Sequence, residues 1–344
     1  MKTIKYSKLL NFSYKVLKKI NLDTYSAKTV SKGLCLASLR GVDSHGIKLL
    51  PHYVQSGLLG RKNISPKFKF YKKNNSSYLL DADNGYGITA GCLAIDKAIK
   101  ISKKNGICMV GVKNSSHPGS IASIMLKAAQ KGYIGLGFAH ADSLMLTHKG
   151  HKPFFGTNPI CFVAPRFKKE PFCLDMATTN ISWNKLLNYR KFNKKLPDSY
   201  AADKFGNPIQ NPNKAESLFP IGGYKGFGLA AMIEILCSVF LGMRFGTNIP
   251  SMFTTSMRKP RKLGQLYIII KTDTFVSKKY FFENIDKIYK QLKVTKKSKN
   301  DKILLPNDKE VIISKKRLKH GIPIDKELFQ QFELIANKYK INLK

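Results

Sequence analysis

Residues 107–130 read ICMVGVKNSSHPGSIASIMLKAAQ. Residues 107–112 form a β-rich apolar run, and Asn114 to Gly119 make a polar turn around His117. Residues 120–130 then return to apolar positions at helical spacing, with Gly132 as the stop. A strand, a polar turn and a helix in direct succession are one unit of an α/β (α+β) fold. The alternation extends to both sides. Tyr78-Leu79-Leu80-Asp81 predicts a strand, and Asn84-Gly85-Tyr86-Gly87 leads into a long helix ending at Asn105-Gly106. Residues 133–139, 160–164 and 265–270 predict further strands, and residues 225–243 a helix.

Toward the ends the period is helical. Residues 6–20 place Leu9, Leu10, Phe12, Val16, Leu17 and Ile20 near one face. Residues 24–39 place Val30, Leu34 and Ala37 at helical spacing behind Asp23 as N-cap, and a short helix follows over 47–56. Residues 309–341 read as two helices parted at Gly321-Ile322-Pro323. Residues 188–214 are polar and contain Pro and Gly, which predicts a long surface excursion, and residues 295–302 predict a charged loop.

With 344 residues, a prior of roughly 150 per domain suggests two domains. The apolar fraction of 43% and the 21 Phe predict an ordered globular chain. Residues 1–20 carry six lysines and no apolar h-region, so no secretory leader is expected. The longest apolar stretch, residues 228–243, contains Glu234 and is short for a bilayer span. These features predict a soluble cytoplasmic protein with no membrane contact. The six cysteines are scattered without a Cys-x-x-Cys pair, which predicts buried thiols and no metal site. The net charge of +39 suits a nucleic-acid binder at first sight. Yet Lys outnumbers Arg 52 to 8 and is spread along the chain, whereas bidentate phosphate and base recognition favours Arg. The charge therefore reads as solvated surface, with no nucleic-acid partner.

Two of the seven histidines sit in Gly-flanked polar turns, GVDSHG at 41–46 and GVKNSSHPG at 111–119. An imidazole exchanges protons near neutral pH, and turns at element ends are where reactive groups are mounted. Asp43-Ser44-His45 offers a carboxylate, a hydroxyl and an imidazole; the competing reading is a helix cap with His45 packed locally. His140-Ala141-Asp142 also follows a strand, while His52 and His320 lack supporting neighbours. Gly156-Thr157-Asn158-Pro159 and Asp175-Met176-Ala177-Thr178-Thr179 are polar turns at strand ends, where pockets form in such sheets. No Gly-x-Gly-x-x-Gly follows a predicted strand and opens a helix. Gly222-Gly223-Tyr224-Lys225-Gly226-Phe227-Gly228 does precede a helix, and reads either as a phosphate cradle or as an ordinary Gly-rich entry.

Taken in order, these segments resemble the type-2 malate/L-lactate dehydrogenase family, oxidoreductases that use NAD or NADP without a Rossmann fold. The matching stretches are 39–46, 81–87, 114–117, 155–159, 175–178, 222–229 and 320–325. The resemblance implies a central nucleotide-binding sheet domain (67–283), a helical domain built from both chain ends (1–66 and 284–344), and a homodimer. It also implies hydride transfer between nicotinamide and a small 2-hydroxy or 2-oxo acid. Ureidoglycolate dehydrogenase and cyclic imino acid reductase are the alternatives within the family. A basic RNA-associated protein without catalysis is the alternative from another class. By the same resemblance His45 and His117 are the acid/base candidates, with the choice between them open, and Asp142 orients an imidazole or binds substrate. Cofactor contacts fall on Ser44, Asp175, Met176, Ala177, Thr178, Thr179, Lys225, Gly226, Asn307, Asp308 and Lys309, and substrate contacts on Lys48, Thr157 and Asn158. Many members carry Arg four residues after the first histidine; here that position is Leu49, and the adjacent Lys48 lacks the bidentate fork of a guanidinium. The chain also has Ser116 and Pro118 around its second histidine, Lys149 before Gly150, and Asn307 where Gly is common.

Overall fold

The computed structural model describes residues 2–296 and 302–343, so most of the charged loop expected at 295–302 lies outside the described residues. Seven strands form the main sheet, in the order Lys69–Lys72, Ser77–Asp81, Ile107–Ser115, Leu263–Lys271, Tyr133–Ala139, Ile160–Arg166 and Lys169–Met176. Ser77–Asp81 and Ile107–Ser115 run parallel, joined by the crossover helix Gly87–Asn105, and the remaining neighbours are antiparallel. The central strand Leu263–Lys271 comes from far along the chain and inserts between Ile107–Ser115 and Tyr133–Ala139, with Gln265 opposite both Val112 and Ala139. Its run of buried residues is what a strand covered on both faces requires.

The helix Gly87–Asn105 buries Ala90, Ala94, Ile95, Ala98 and Ile99 and stops at Gly106, whose φ of 77° favours glycine. It packs against the helices Thr24–Leu39 and Ala122–Gln130. Asp23 caps the former as expected, accepting the Ser26 N–H at 2.9 Å. The chain ends meet: Lys2–Ile4 pairs antiparallel with Ile322–Ile324, and the Phe12 and Phe332 rings of two terminal helices lie 5.4 Å apart. One apolar core runs from these helices into the sheet, as the α/β fold with helices from both ends requires. The helix Lys278–Val294 passes through residue 283 and is fixed to the sheet edge by Arg166 and Asp286, 2.8 Å apart.

Residues 188–214 lie largely at the surface as expected, but they are not irregular. The helix Trp183–Lys191 runs into them, and the strands Ala201–Ala202, Pro208–Ile209 and Ser217–Leu218 join Met145–Leu146 and Pro153–Phe155 in a second sheet. This unit has its own core of Ile181, Leu186, Leu196, Ala201, Ala215 and Leu218. Strands of two residues are too short to show an alternating period, so the sequence pattern conceals them. The segment Tyr224–Leu241 is long and apolar enough to cross a membrane by length and composition. In the fold it lies on the sheet, with Ile233 and Cys237 against Phe138 and Leu266, and its buried Glu234 accepts hydrogen bonds from Asn158 and the Gly246 N–H.

The start of the crossover helix is tightly enclosed. A Cβ on Gly87 would lie 2.0 Å from the Ser116 carbonyl oxygen and 2.7 Å from that of His117. Gly87→Ala is expected to destabilise the fold by at least about 1–3 kcal/mol in denaturant titrations, since backbone rather than a flexible side chain blocks the methyl.

Candidate active site

Both histidine turns are built from backbone outward. After the helix Thr24–Leu39 the chain turns at Gly41, with φ of 82°, into the short 3₁₀ turn Asp43–His45. The Asp43 carboxylate is bound by Arg317 at 2.6 and 2.8 Å, which locks the helix Asp308–His320 onto this turn. Ser44 Oγ lies 2.9 Å from His45 Nδ1. His117 follows the strand Ile107–Ser115, and the preceding Ser116 Oγ accepts the Gly87 N–H at 2.9 Å and donates to the Gly85 carbonyl at 3.0 Å. These anchors bring the two imidazoles face to face, with ring centroids 5.5 Å apart and planes inclined by 23°.

Tyr53, from the helix Leu50–Leu58, holds His117 from behind. Its hydroxyl lies 3.0 Å from His117 Nδ1 and donates to the His117 carbonyl at 3.1 Å. The Gly119 N–H also points at Nδ1, at 3.3 Å. His45, His117, His140, Asp142, Arg261 and Trp183 are among the walls of a small cavity of about 60 Å³. A larger cleft of about 350 Å³ adjoins it, sharing His45, Gly119, Thr157, Pro159 and Ser182 as walls. Ser44, Asp175, Met176, Ala177, Thr179 and the exposed Lys185 line the cleft only. One small imidazole-lined cavity beside one larger cleft, with His45 on the walls of both, is suited to two ligands meeting at the histidines.

The site keeps its imidazoles neutral. Burial pushes His45 down to about 4. His117 is held well below its ordinary value by burial, and further by His45, Arg261, Lys62 and His52. His140 is pushed down to about 3 by burial and Arg261; its Nε2 accepts the Gly264 N–H at 3.2 Å. Asp142 does not meet an imidazole. Its carboxylate is taken by Arg261 and by the Met252 N–H at 2.9 Å.

The other expected residues divide by position. Thr157 lines both cavities and its carbonyl accepts the Thr178 N–H at 2.9 Å. Thr178 and Asn158 are buried behind the walls; Asn158 donates to Ala230 and Glu234 and accepts from the Ala141 N–H. Asp175 accepts from Ser120 Oγ at 2.9 Å and the Ala122 N–H at 2.8 Å, and burial raises its carboxyl above the ordinary range. Gly226 sits where a Cβ would come 2.0 Å from the Ile221 carbonyl, and Ile221 lines the cleft, while Lys225 is exposed at the helix start. Asn307 bridges Arg40 and the Pro171 carbonyl, Asp308 lies 3.3 Å from Lys293, and Lys309 is exposed; none of the three lines either cavity. Lys48 reaches Asn188 at 3.0 Å, in a separate hollow.

Sequence reading missed Arg261, Tyr53, Lys62 and the cavity-lining Asn184, which donates to the Ser44 carbonyl at 2.8 Å, and left His52 without neighbours. His52 in fact packs on Tyr53 with ring centroids 6.3 Å apart and is pushed down to about 3 by burial and by Lys62, Arg61 and Arg261. Tyr53 carried a signal in principle, standing on a predicted helix directly after the first histidine turn. Arg261 carried none, because it lies in an irregular segment more than a hundred residues from its partner Asp142.

The chain matches the malate/L-lactate dehydrogenase family profile over residues 4–333. It is 33% identical to the ureidoglycolate dehydrogenase (NAD(+)) of Escherichia coli K12, across 88% of this chain and 87% of that one. It is 32% identical to the L-sulfolactate dehydrogenase of Methanocaldococcus jannaschii, across 95% and 94% of the two chains. The crystal structure of malate dehydrogenase from Entamoeba histolytica superposes with a TM-score of 0.94 at 28% identity, covering 99% of both chains.

The depressed imidazoles make stability depend on pH. An unfolded histidine protonates near 6.5, whereas His45 resists protonation down to about 4. In that window the unfolded chain binds more protons than the folded one, so acidification destabilises the fold. Denaturation midpoints are expected to fall steadily from about pH 6.5 toward pH 4. His45→Asn is expected to flatten the slope; a midpoint unchanged across the window contradicts the assignment.

Proposed function

We propose, since the chain belongs to the malate/L-lactate dehydrogenase family, that this NAD(P)-dependent dehydrogenase oxidises the CH–OH group of a small 2-hydroxy acid at the paired histidines. The carrying observation is the pair of stacked imidazoles sharing one cavity with Arg261, beside a cleft of about 350 Å³. The cleft suits the cofactor in its walls: Ser44, Thr179 and backbone turns offer polar contacts, and Lys185 offers a cation toward a phosphate. When bound, nicotinamide accepts or supplies the hydride at substrate C2.

His117 moves the proton. With Nδ1–H turned to the Tyr53 hydroxyl, Nε2 presents a lone pair to the substrate hydroxyl. With Nδ1 accepting from the Gly119 N–H, Nε2 carries the proton instead. The ring can therefore serve either direction of a reversible oxidation. Low basicity keeps it unprotonated and ready to accept at neutral pH. His45, oriented by Ser44, supplies the second contact to the substrate oxygen. Arg261, fixed by Asp142 and the Pro250 carbonyl, supplies the guanidinium for the substrate carboxylate that Leu49 cannot. Asp142 is thus a positioning residue for Arg261.

The functional unit is a homodimer in this reading, supported by the exposed Leu229, Met232, Ile235, Val239 and Phe240 on one helical segment. Its place is the cytoplasm, and its lysines serve solvation rather than nucleic-acid binding.

His117→Asn is expected to lower kcat about 10²- to 10⁴-fold while NAD(P)H still raises the melting temperature. Arg261→Lys, which keeps the charge and loses the fork, is expected to raise KM for 2-hydroxy acids about tenfold or more with a smaller change in kcat. A panel of malate, lactate, sulfolactate and ureidoglycolate, followed by NAD(P)H absorbance, identifies the substrate; near-normal turnover in His117→Asn rejects the proton-transfer role.

A further inference from the structure

Lys62 is a lysine removed from water and from any acceptor. It is 3% exposed, and its Nζ has no hydrogen-bond partner. Its backbone N–H donates to the Ser56 carbonyl at 2.9 Å, which draws it back over the helix Leu50–Leu58. Nζ then lies 3.4 Å from the centre of the Tyr53 ring and 4.7 Å from that of Tyr86. Tyr86 in turn donates to the Tyr53 carbonyl at 2.9 Å. The neighbouring Arg61 is spent on the carbonyls of Met252, Thr255 and Ser256, and Asp142 is taken by Arg261. No carboxylate is therefore bound to this amine. A bare buried cation is costly, and ring faces are the only groups here that compensate it.

The amine, the Tyr53 ring, the Tyr53 hydroxyl and His117 Nδ1 follow one another in contact. We propose that Lys62 is a positioning residue for proton transfer at His117: its ammonium fixes the Tyr53 ring beneath the imidazole and opposes a second positive charge there. The titratable and charged groups around His117 are His45 across the stack, Tyr53 and His52 from the helix Leu50–Leu58, Lys62 behind Tyr53, and Arg261, Asp142 and His140 on the walls of the shared cavity. The direction at His117 agrees, since Lys62 is among the charges that lower it, after burial, His45 and Arg261. Burial, Arg261 and Arg61 also hold Lys62 well below the ordinary lysine range.

The Tyr53 and Tyr86 ring faces favour the ammonium form of Lys62, and an ammonium there disfavours imidazolium, so removing it raises the basicity of His117. In Lys62→Met the acid limb of kcat/KM for 2-hydroxy acid oxidation is expected to move up by about one pH unit. Lys62→Gln, which keeps length and polarity, is expected to move it the same way. Melting temperature is expected to hold or rise, because an uncompensated buried amine is gone. A merely structural lysine predicts the reverse pattern, a lower melting temperature and an unmoved limb, and that result overturns the proposal. Failure of both variants to fold overturns it too. The inference rests on His117 as the proton-transfer group, and the two fail separately. Turnover surviving in His117→Asn rejects the reading of His117, whereas lost turnover there with an unmoved limb in Lys62→Met rejects the role of Lys62 alone.

Discussion

One buried side-chain amide ties the site to the fold. Gln265 sits on the central strand with no exposure, and its Nε2 donates to Ser115 Oγ at 2.9 Å and toward the carbonyls of Ser116 and Gly87 at 3.2 and 3.4 Å. Its Oε1 accepts the Tyr267 hydroxyl at 2.7 Å. Three elements meet on this group: the end of the strand that carries His117, the start of the crossover helix, and the strand inserted between the two halves of the sheet. An amide left without these partners in the interior would cost more than the bonds return, so the network specifies one arrangement. The position of the second histidine turn is therefore a property of sheet assembly.

The first turn is held by a different force. Arg317 reaches from the helix Asp308–His320 to both oxygens of Asp43, so a residue near the end of the chain sets the place of His45 near its start. The pairing of Lys2–Ile4 with Ile322–Ile324 brings those ends together. The active site thus requires the helices from both termini and the sheet at once, and the continuous apolar core between them transmits their registration.

How much of this was legible follows from the range of each interaction. Helices with long apolar stripes and a side-chain cap, such as Thr24–Leu39 behind Asp23, are local and could be read directly. Most strands of five or more residues showed their pattern, but Lys169–Met176 did not, and its last two residues, Asp175 and Met176, read as part of a turn. The small sheet around Ala201 and Leu218 did not, because two-residue strands have no period. The histidine turns were visible as Gly-flanked polar punctuation, but their stacking was not. Partners from distant elements were invisible for the same reason: Arg261 to Asp142 and Lys62 to Tyr53 are contacts of tertiary packing, and a chain with 52 lysines gives no means of singling out one. The overall charge even pointed away from it, since nearly all lysines solvate the surface.

The electrostatics of the interior make sense of that exception. Among the described residues around the cavity, Asp142 is the carboxylate on its wall, and Arg261 already consumes it. Arg61 and Lys62 stand behind, Arg61 bound to backbone carbonyls and Lys62 set against ring faces. Burial is the main reason the imidazoles remain neutral in a polar site, and the neighbouring cations add to it at His117 and His140. The same cations also favour an anion entering the cavity. A carboxylate-bearing substrate supplies the negative charge that the protein omits, and its arrival makes the imidazolium formed during oxidation less costly. The resting site is thus set against protonation, while the occupied site tolerates it, so the basicity of His117 is coupled to substrate binding through Arg261 on the cavity wall and Lys62 behind it.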